Sequence, residues 1–197
     1  MLENNQIKML RKKQVDAYIK EILKYNSVHN LVKRSSKEQI YKEDILDTLL
    51  FLDHFKAAKN ILDIGTGAGI PGIVLAIHLP EIQITLAEKN QKKAYFLEKT
   101  IKKLNISNAF VFNESINKQT QLKSFSHITA RALSEIEKII NMSSHLLKKD
   151  GEYLLFKGKK EIVEKEIARI KKYKTEVFKS DQTDKQRHLV RITTNTQ

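Results

Sequence analysis

The stretch Asn60-Ile-Leu-Asp-Ile-Gly-Thr-Gly-Ala-Gly-Ile-Pro-Gly72 decides the fold of this chain. An apolar run, Ile61 to Ile64, ends in glycines at every second position, Gly65, Gly67 and Gly69, and an apolar segment from Ile70 to Leu79 continues as a helix. Strand, glycine turn and helix in that order is how an α/β sheet makes a crevice for a nucleoside cofactor. The turn requires glycine because the backbone must take positive φ and let a ligand approach without a Cβ in the way. The chain has only 6 glycines, and Gly65, Gly67, Gly69 and Gly72 are all in this stretch, a concentration that speaks against a purely structural turn.

Asp63 ends the strand, two residues before the first glycine. A carboxylate there attracts a cationic ligand and repels a pyrophosphate, which points toward S-adenosylmethionine (SAM), with its ammonium and sulfonium. The pattern G-x-G-x-x-G also occurs, from Gly67 to Gly72. It is the fingerprint of dinucleotide binding, and alone it is a weak signal. Glu88 comes directly after a second expected strand, Gln83 to Ala87. An acid there hydrogen-bonds a ribose hydroxyl in NAD and SAM folds alike, so it does not choose between them.

Outward from this motif the elements alternate. After the strand Gln83 to Ala87 comes a helix with Ala94, Leu97, Ile101 and Leu104 on one face. Strands are expected at Ala109 to Phe112 and Ser126 to Ala130, a helix from Ser134 to Leu147, a turn at Lys149-Asp-Gly151 and a strand from Glu152 to Phe156. A charged amphipathic helix, Lys159 to Lys172, precedes two final strands, Thr175 to Lys179 and His188 to Thr193. With no helix between them, these two are expected to pair antiparallel. The alternation predicts an α/β, Rossmann-like, mostly parallel doubly wound sheet of seven strands. The antiparallel tail is the pattern of class I SAM-dependent methyltransferases, whereas NAD domains continue with parallel strands. Residues 1–58 read as an N-terminal helical extension and 59–197 as the SAM-binding core. In the extension, Val15, Tyr18, Ile19, Ile22 and Leu23 form one helix face, and a second helix is expected from Glu43 to Phe55.

Composition narrows the function. The absence of cysteine removes disulfides, thiolate zinc sites and cysteine nucleophiles. The 6 histidines show no i, i+4 pairing, and no metal is expected. No apolar run reaches the ~18 residues of a membrane span. Met1-Leu-Glu-Asn-Asn-Gln lacks a charged-then-apolar leader, so a cytoplasmic protein with no membrane partner is expected. A net charge of +13 favours a polyanionic partner such as nucleic acid, although a lysine-rich, AT-biased composition contributes to it.

The chemistry is narrowed by elimination. Methylation at a pyrimidine carbon commonly uses cysteine, which is lacking. Methylation of an exocyclic amine commonly uses Asp/Asn-Pro-Pro-aromatic after the fourth strand, but the 2 prolines are Pro71 and Pro80. That strand instead runs out into Thr129-Ala-Arg-Ala132, with no carboxylate or lysine to serve as a general base. A nucleophile that carries no proton, such as ring nitrogen N7 of guanine, fits that absence. It needs alignment more than deprotonation.

The chain resembles the bacterial glucose-inhibited division protein B family, methyltransferases that form 7-methylguanosine in small-subunit (16S) ribosomal RNA. The resemblance rests on Tyr25-Asn…Asn30-Leu, Asp44-Ile-Leu-Asp47, Asp63 to Gly72, Lys92-Lys-Ala-Tyr-Phe-Leu97, Ala130-Arg-Ala132, Phe156-Lys-Gly158 and Arg187-His-Leu-Val190. It implies that Gly65 and Ile70 line the SAM site, Glu88 holds the ribose, and Ile116 and Asn117 flank the adenine. It also places Arg131 at cofactor and target base. Lys157, Arg187 and His188 would then face RNA, Lys157 with a catalytic part. Asp63, Gly67 and Gly69 complete the expected cofactor set. Ala68, Val32 and Lys42-Glu43 depart from the family pattern without touching the glycines. The expected partner is 16S rRNA or the small ribosomal subunit, and the expected state is a monomer. Roles for Asn26, Asn30 and Asp47 stay open, as do a small-metabolite methyltransferase, an NAD(P)-dependent oxidoreductase and an RNA-binding protein with an inactive cofactor fold.

Overall fold

The structure is a computed structural model, and it describes residues 2–29, 31–180 and 186–194. Asn30 lies outside the described residues. Seven strands form one sheet in the order β3-β2-β1-β4-β5-β7-β6. They are β1 (Asn60–Ile64), β2 (Gln83–Ala87), β3 (Ala109–Phe112), β4 (Phe125–Arg131), β5 (Leu147–Lys157), β6 (Tyr173–Ser180) and β7 (Arg187–Thr194). The first five run parallel, and β7 lies antiparallel between β5 and β6. This is the sheet expected from the alternation of elements and the helix-free final pair.

Every residue of β1 is buried because helices cover both faces of the sheet. Ile61 faces the core layer shared with α4 (Gly72–His78) and α5 (Gln91–Lys103), whereas Leu62 and Ile64 face the layer of α6 (Ile136–Ser143) and α7 (Lys160–Ile167). Strand side chains alternate faces, so a short apolar run serves both layers.

Strand ends shift by a residue or two, and the larger differences from the sequence expectation lie in the helix after Ser36, at β5 and in α6 and α7. The path expected as one helix from Glu43 starts earlier, at α2 (Lys37–Ile40), where Ser36 Oγ accepts the Gln39 N–H at 3.2 Å. It then opens into a π turn over Tyr41–Ile45, resumes as α3 (Leu46–Leu50) and ends in a 3₁₀ turn, Leu52–Phe55. The expected turn at Lys149-Asp-Gly151 lies inside β5. The register shift between Phe125 and His127 absorbs it, and a Cβ on Gly151 would stand 2.9 Å from the Ser126 carbonyl oxygen. α6 and α7 are each shorter than their apolar periodicity suggested.

The N-terminal helix α1 (Leu2–Asn26) packs against α4 and α5 and buries Val15, Tyr18, Ile19 and Ile22, the face its spacing predicts. Side-chain bonds tie it to α5 and the residue after it, among them Lys103 Nζ to Glu21 Oε1 at 2.6 Å. Gln14 Nε2 donates to the Leu104 carbonyl beyond the far end of α5 at 3.3 Å, and Tyr25 Oη donates to the Lys92 carbonyl near its start at 2.7 Å. Midway, the fully buried Tyr18 Oη donates to the Ala68 carbonyl at 2.6 Å, inside the glycine turn. Burial raises the Tyr18 hydroxyl well above its usual pKa, so it stays a donor. Among the described residues, no helix is long and apolar enough to cross a membrane.

Tyr18→Phe should leave the fold intact and lower stability by about 1–3 kcal/mol, the cost of a buried carbonyl left without its donor. Urea denaturation of both proteins measures this, and equal midpoints would mean that the extension does not brace the glycine turn through this bond.

Candidate functional site

Gly65, Gly67 and Gly69 all take positive φ, +66°, +61° and +96°. The first turn of the loop is sewn to the end of β2, with the N–H groups of Gly65 and Thr66 donating to the Ala87 carbonyl at 2.9 and 3.2 Å. Asp63 lies beneath the loop with no exposed surface. One of its oxygens, Oδ2, accepts the Thr66 hydroxyl at 2.5 Å and the Gly72 N–H at 2.9 Å, which joins β1 to the start of α4. Burial pushes the Asp63 carboxyl up to about 7 against the pull of these bonds and of Arg131. Its other oxygen, Oδ1, is buried with no hydrogen-bond partner. Above the turn there is room. A Cβ on Gly67 would meet nothing nearer than the Gly65 oxygen at 3.9 Å.

Glu88 closes the other side of the turn. Its Oε2 accepts the Gly67 N–H at 3.0 Å and its Oε1 accepts the Asn90 N–H at 2.8 Å. Each carboxylate oxygen keeps a second acceptor site, so Glu88 can brace the loop and still receive a hydroxyl. Ile70 is buried next to a cis Ile70–Pro71 bond. Ile116 is buried in the same layer as Ala87, whereas Asn117 is exposed in a turn where its Oδ1 accepts the Gln119 N–H at 2.8 Å.

Arg131 ends β4, two residues past Thr129, which pairs with Asp63 across the β1–β4 ladder. The next loop folds back over Gly65, with Ala132 at φ +52° and a Leu133 methyl 2.5 Å from where a Gly65 Cβ would be. The extension reaches this point too. Arg131 Nη2 donates to Asp44 Oδ1 at 2.6 Å and to the Glu43 carbonyl at 2.8 Å, and Nη1 donates to the Asp44 carbonyl at 3.3 Å. Asp47 Oδ2 lies 3.5 Å from Arg131 Nη2 and accepts Arg187 Nε at 2.5 Å. Burial raises the Asp47 carboxyl, although Arg131 and Arg187 pull it down. The end of β4 therefore does have carboxylates beside it, contrary to the sequence expectation. They come from the helical extension and are engaged by guanidinium groups.

Lys157 and His188 are not surface cations. Lys157 Nζ donates to Glu166 Oε2 and to the Ser134 carbonyl, both at 2.7 Å, and only 11% of its side chain is exposed. His188 is 3% exposed, with Nδ1 at 2.6 Å from the Gly158 carbonyl. Both still line a cavity of about 300 Å³ with Arg34, Asp47, Arg131 and Arg187. Asn26 is structural here. Its Oδ1 accepts the N–H groups of Leu31 and Val32 at 2.8 and 3.0 Å, and its amide donates to the Arg34 carbonyl. The partners that sequence reasoning missed are Asp44, Glu43 and Glu166. The spacing of Asp44 and Asp47 at i, i+3 puts two acids on one helix face, which is a signal for cations opposite. Glu166 left no such signal in its amphipathic helix. Among the described residues no group of acids and histidines could hold a metal.

These residues fit a SAM molecule. The open positive-φ turn admits it, Asp63 Oδ1 is a buried acceptor without a donor, and Glu88 keeps lone pairs for hydroxyls. The family model described as rRNA small subunit methyltransferase G matches residues 11–190. The chain is 36% identical over 186 residues to the ribosomal RNA small subunit methyltransferase G of Brachyspira hyodysenteriae, covering 92% of this chain and 90% of that protein. It is 37% identical over 145 residues to the protein of the same name from Janthinobacterium sp., spanning 72% of this chain and 66% of the relative's length, just under two thirds. Among solved structures, an O-methyltransferase from Bacillus cereus in complex with SAH superposes with a TM-score of 0.61 at 16% identity, covering 90% of each chain. At that identity the likeness is one of fold.

The Asp63 carboxyl makes stability depend on pH. Below its ordinary 3.8 the folded and unfolded chains both hold the proton, and between 3.8 and about 7 only the folded chain does. Its contribution therefore falls as pH rises through that window and is level above it. Asp63→Asn removes this dependence, so its stability relative to the native protein should climb between about pH 5 and 7.5. Denaturation midpoints that keep a constant difference over that range would contradict the buried, proton-holding carboxyl.

Proposed function

This chain belongs to the rRNA small subunit methyltransferase G family, and we propose that it transfers the methyl group of SAM to N7 of a guanine in small-subunit (16S) rRNA. The observation that carries the reading is Arg131, held at the end of β4 beside the glycine turn by Asp44 and the Glu43 carbonyl. Those bonds leave its Nε–H and one Nη1–H for a ligand. A fixed guanidinium there can hold guanine O6 or the cofactor carboxylate while N7 stays open for in-line attack.

SAM, when bound, supplies an electrophilic methyl group on a sulfonium. The glycine turn gives it space, Glu88 receives its ribose hydroxyls, and Ile116 and Asn117 lie beyond β3 on the adenine side. No proton has to leave N7, which agrees with acids that are tied up in ion pairs rather than free to act as bases. Arg187 stands at the rim of the same cavity, and Lys157 and His188 shape it from within. The product is cationic, so Arg131 also favours its departure. The partner is 16S rRNA or the small ribosomal subunit, met in the cytoplasm by a monomer. The net charge of +13 supports a polyanionic substrate over a small metabolite.

Arg131→Lys keeps the charge and loses the planar fork. It should fold normally and lose turnover by roughly 100-fold, the scale of a small misplacement. At saturating SAM the native rate should be flat from about pH 6.5 to 9, since no general base is titrated. Single-turnover methylation of unmodified 16S rRNA, with mass mapping of the modified guanosine, tests both. A lysine variant at native rate removes Arg131 from the site. A rate climbing tenfold per pH unit points instead to a carboxylate base, Asp47 being the nearest with a raised pKa.

A further inference from the structure

A large groove runs along α1 away from the glycine turn, from Val15 and Asp16 near Tyr18 out to Lys8. It holds about 980 Å³ between α1 and α2, next to the C-terminal end of α4 at His78. Counting along α1 from Tyr18, which touches the turn, to Lys8 gives ten residues, ~15 Å at the rise of an α-helix. Lys8, Arg11 and Lys12 line it on α1, with Lys37 opposite, against the carboxylates of Asp16 and Glu38. Asp16 is taken by Lys37 at 2.9 Å. Among the described residues no carboxylate pairs with Lys8, Arg11 or Lys12. Burial, with Arg11 acting in the same direction, lowers the imidazole pKa of His78, so the ring is held toward its neutral form and adds no positive charge of its own. Tyr41, 42% exposed, stands in the groove on the π turn.

We propose that this groove is a second RNA-docking surface, gripping substrate phosphates remote from the methylated base. The proposal rests on the RNA substrate argued above. Lys8 lies one helical turn from the adjacent pair Arg11 and Lys12, so the three cations share one face of α1 and can meet neighbouring phosphates of an RNA backbone. An exposed aromatic ring among them stacks on a base without reading its identity, which an acidic peptide would not need. The groove serves affinity rather than chemistry, because it touches neither the glycine turn nor Arg131.

The test is methylation kinetics on unmodified 16S rRNA with Lys8→Glu/Arg11→Glu/Lys12→Glu, with Tyr41→Ala, and with Lys148→Glu/Lys149→Glu/Lys171→Glu as an equal change of charge on exposed lysines elsewhere. The first variant should raise KM at least tenfold with kcat and SAM affinity within twofold of native. Its log–log salt slope for RNA binding should be shallower by about 2, as for three lost phosphate contacts. Tyr41→Ala should raise KM without altering the slope. The control should leave KM within twofold. A native KM in the groove variant overturns the proposal, and so does an equal rise in the control, since net charge alone would then explain the effect. Should the native protein itself bind rRNA with no salt dependence, the RNA substrate is lost and the groove with it, whereas loss of the groove alone leaves the substrate standing.

Discussion

One buried carboxylate holds the site together. Asp63 Oδ2 receives the Thr66 hydroxyl and the Gly72 N–H at once, so the end of β1, the glycine turn and the start of α4 share a single acceptor. A Cβ on Gly72 would fall 2.7 Å from that oxygen and collide with a Leu86 methyl, so the close approach has no room for another residue. Desolvation makes the charge of Asp63 expensive, and the carboxyl is therefore pushed up to about 7. A group poised there responds to the charge of whatever lies above the turn.

The helical N-terminal segment contributes directly to the candidate site. It supplies Tyr18 to the glycine turn and Asp44 and Asp47 to the arginines that end β4 and begin β7. Two buried acids against Arg34, Arg131 and Arg187 are stable only as a network, since removing one partner strands the other's charge away from water. The π turn at Tyr41–Ile45 itself carries Glu43 and Asp44 of this network, and Asp44 and Asp47 are both buried. Such turns often mark functional positions, because the extra residue redirects side chains that a regular helix would send elsewhere.

The sheet was legible in the sequence because its signals are local. β1 and the glycine turn are written in consecutive residues, Asp63 and Glu88 mark the ends of their strands, and the absence of a helix between β6 and β7 announces the antiparallel pair. Boundaries were less legible where tertiary contacts override a local cue, as with Gly151, a turn residue that became part of β5 because the ladder shifts register against β4.

Fold class, glycine turn and the position of Arg131 at the end of β4 could all be read from the order of residues, since each depends on a few neighbours and the backbone geometry they require. Which charges are free could not. Lys157 reads as one more lysine of a basic chain until Glu166 is found 2.7 Å away, and an acid for Arg131 arrives from 87 positions earlier in the chain. Burial and pairing are relations between distant segments, and the energy of a charge is set by those relations rather than by the residue that carries it.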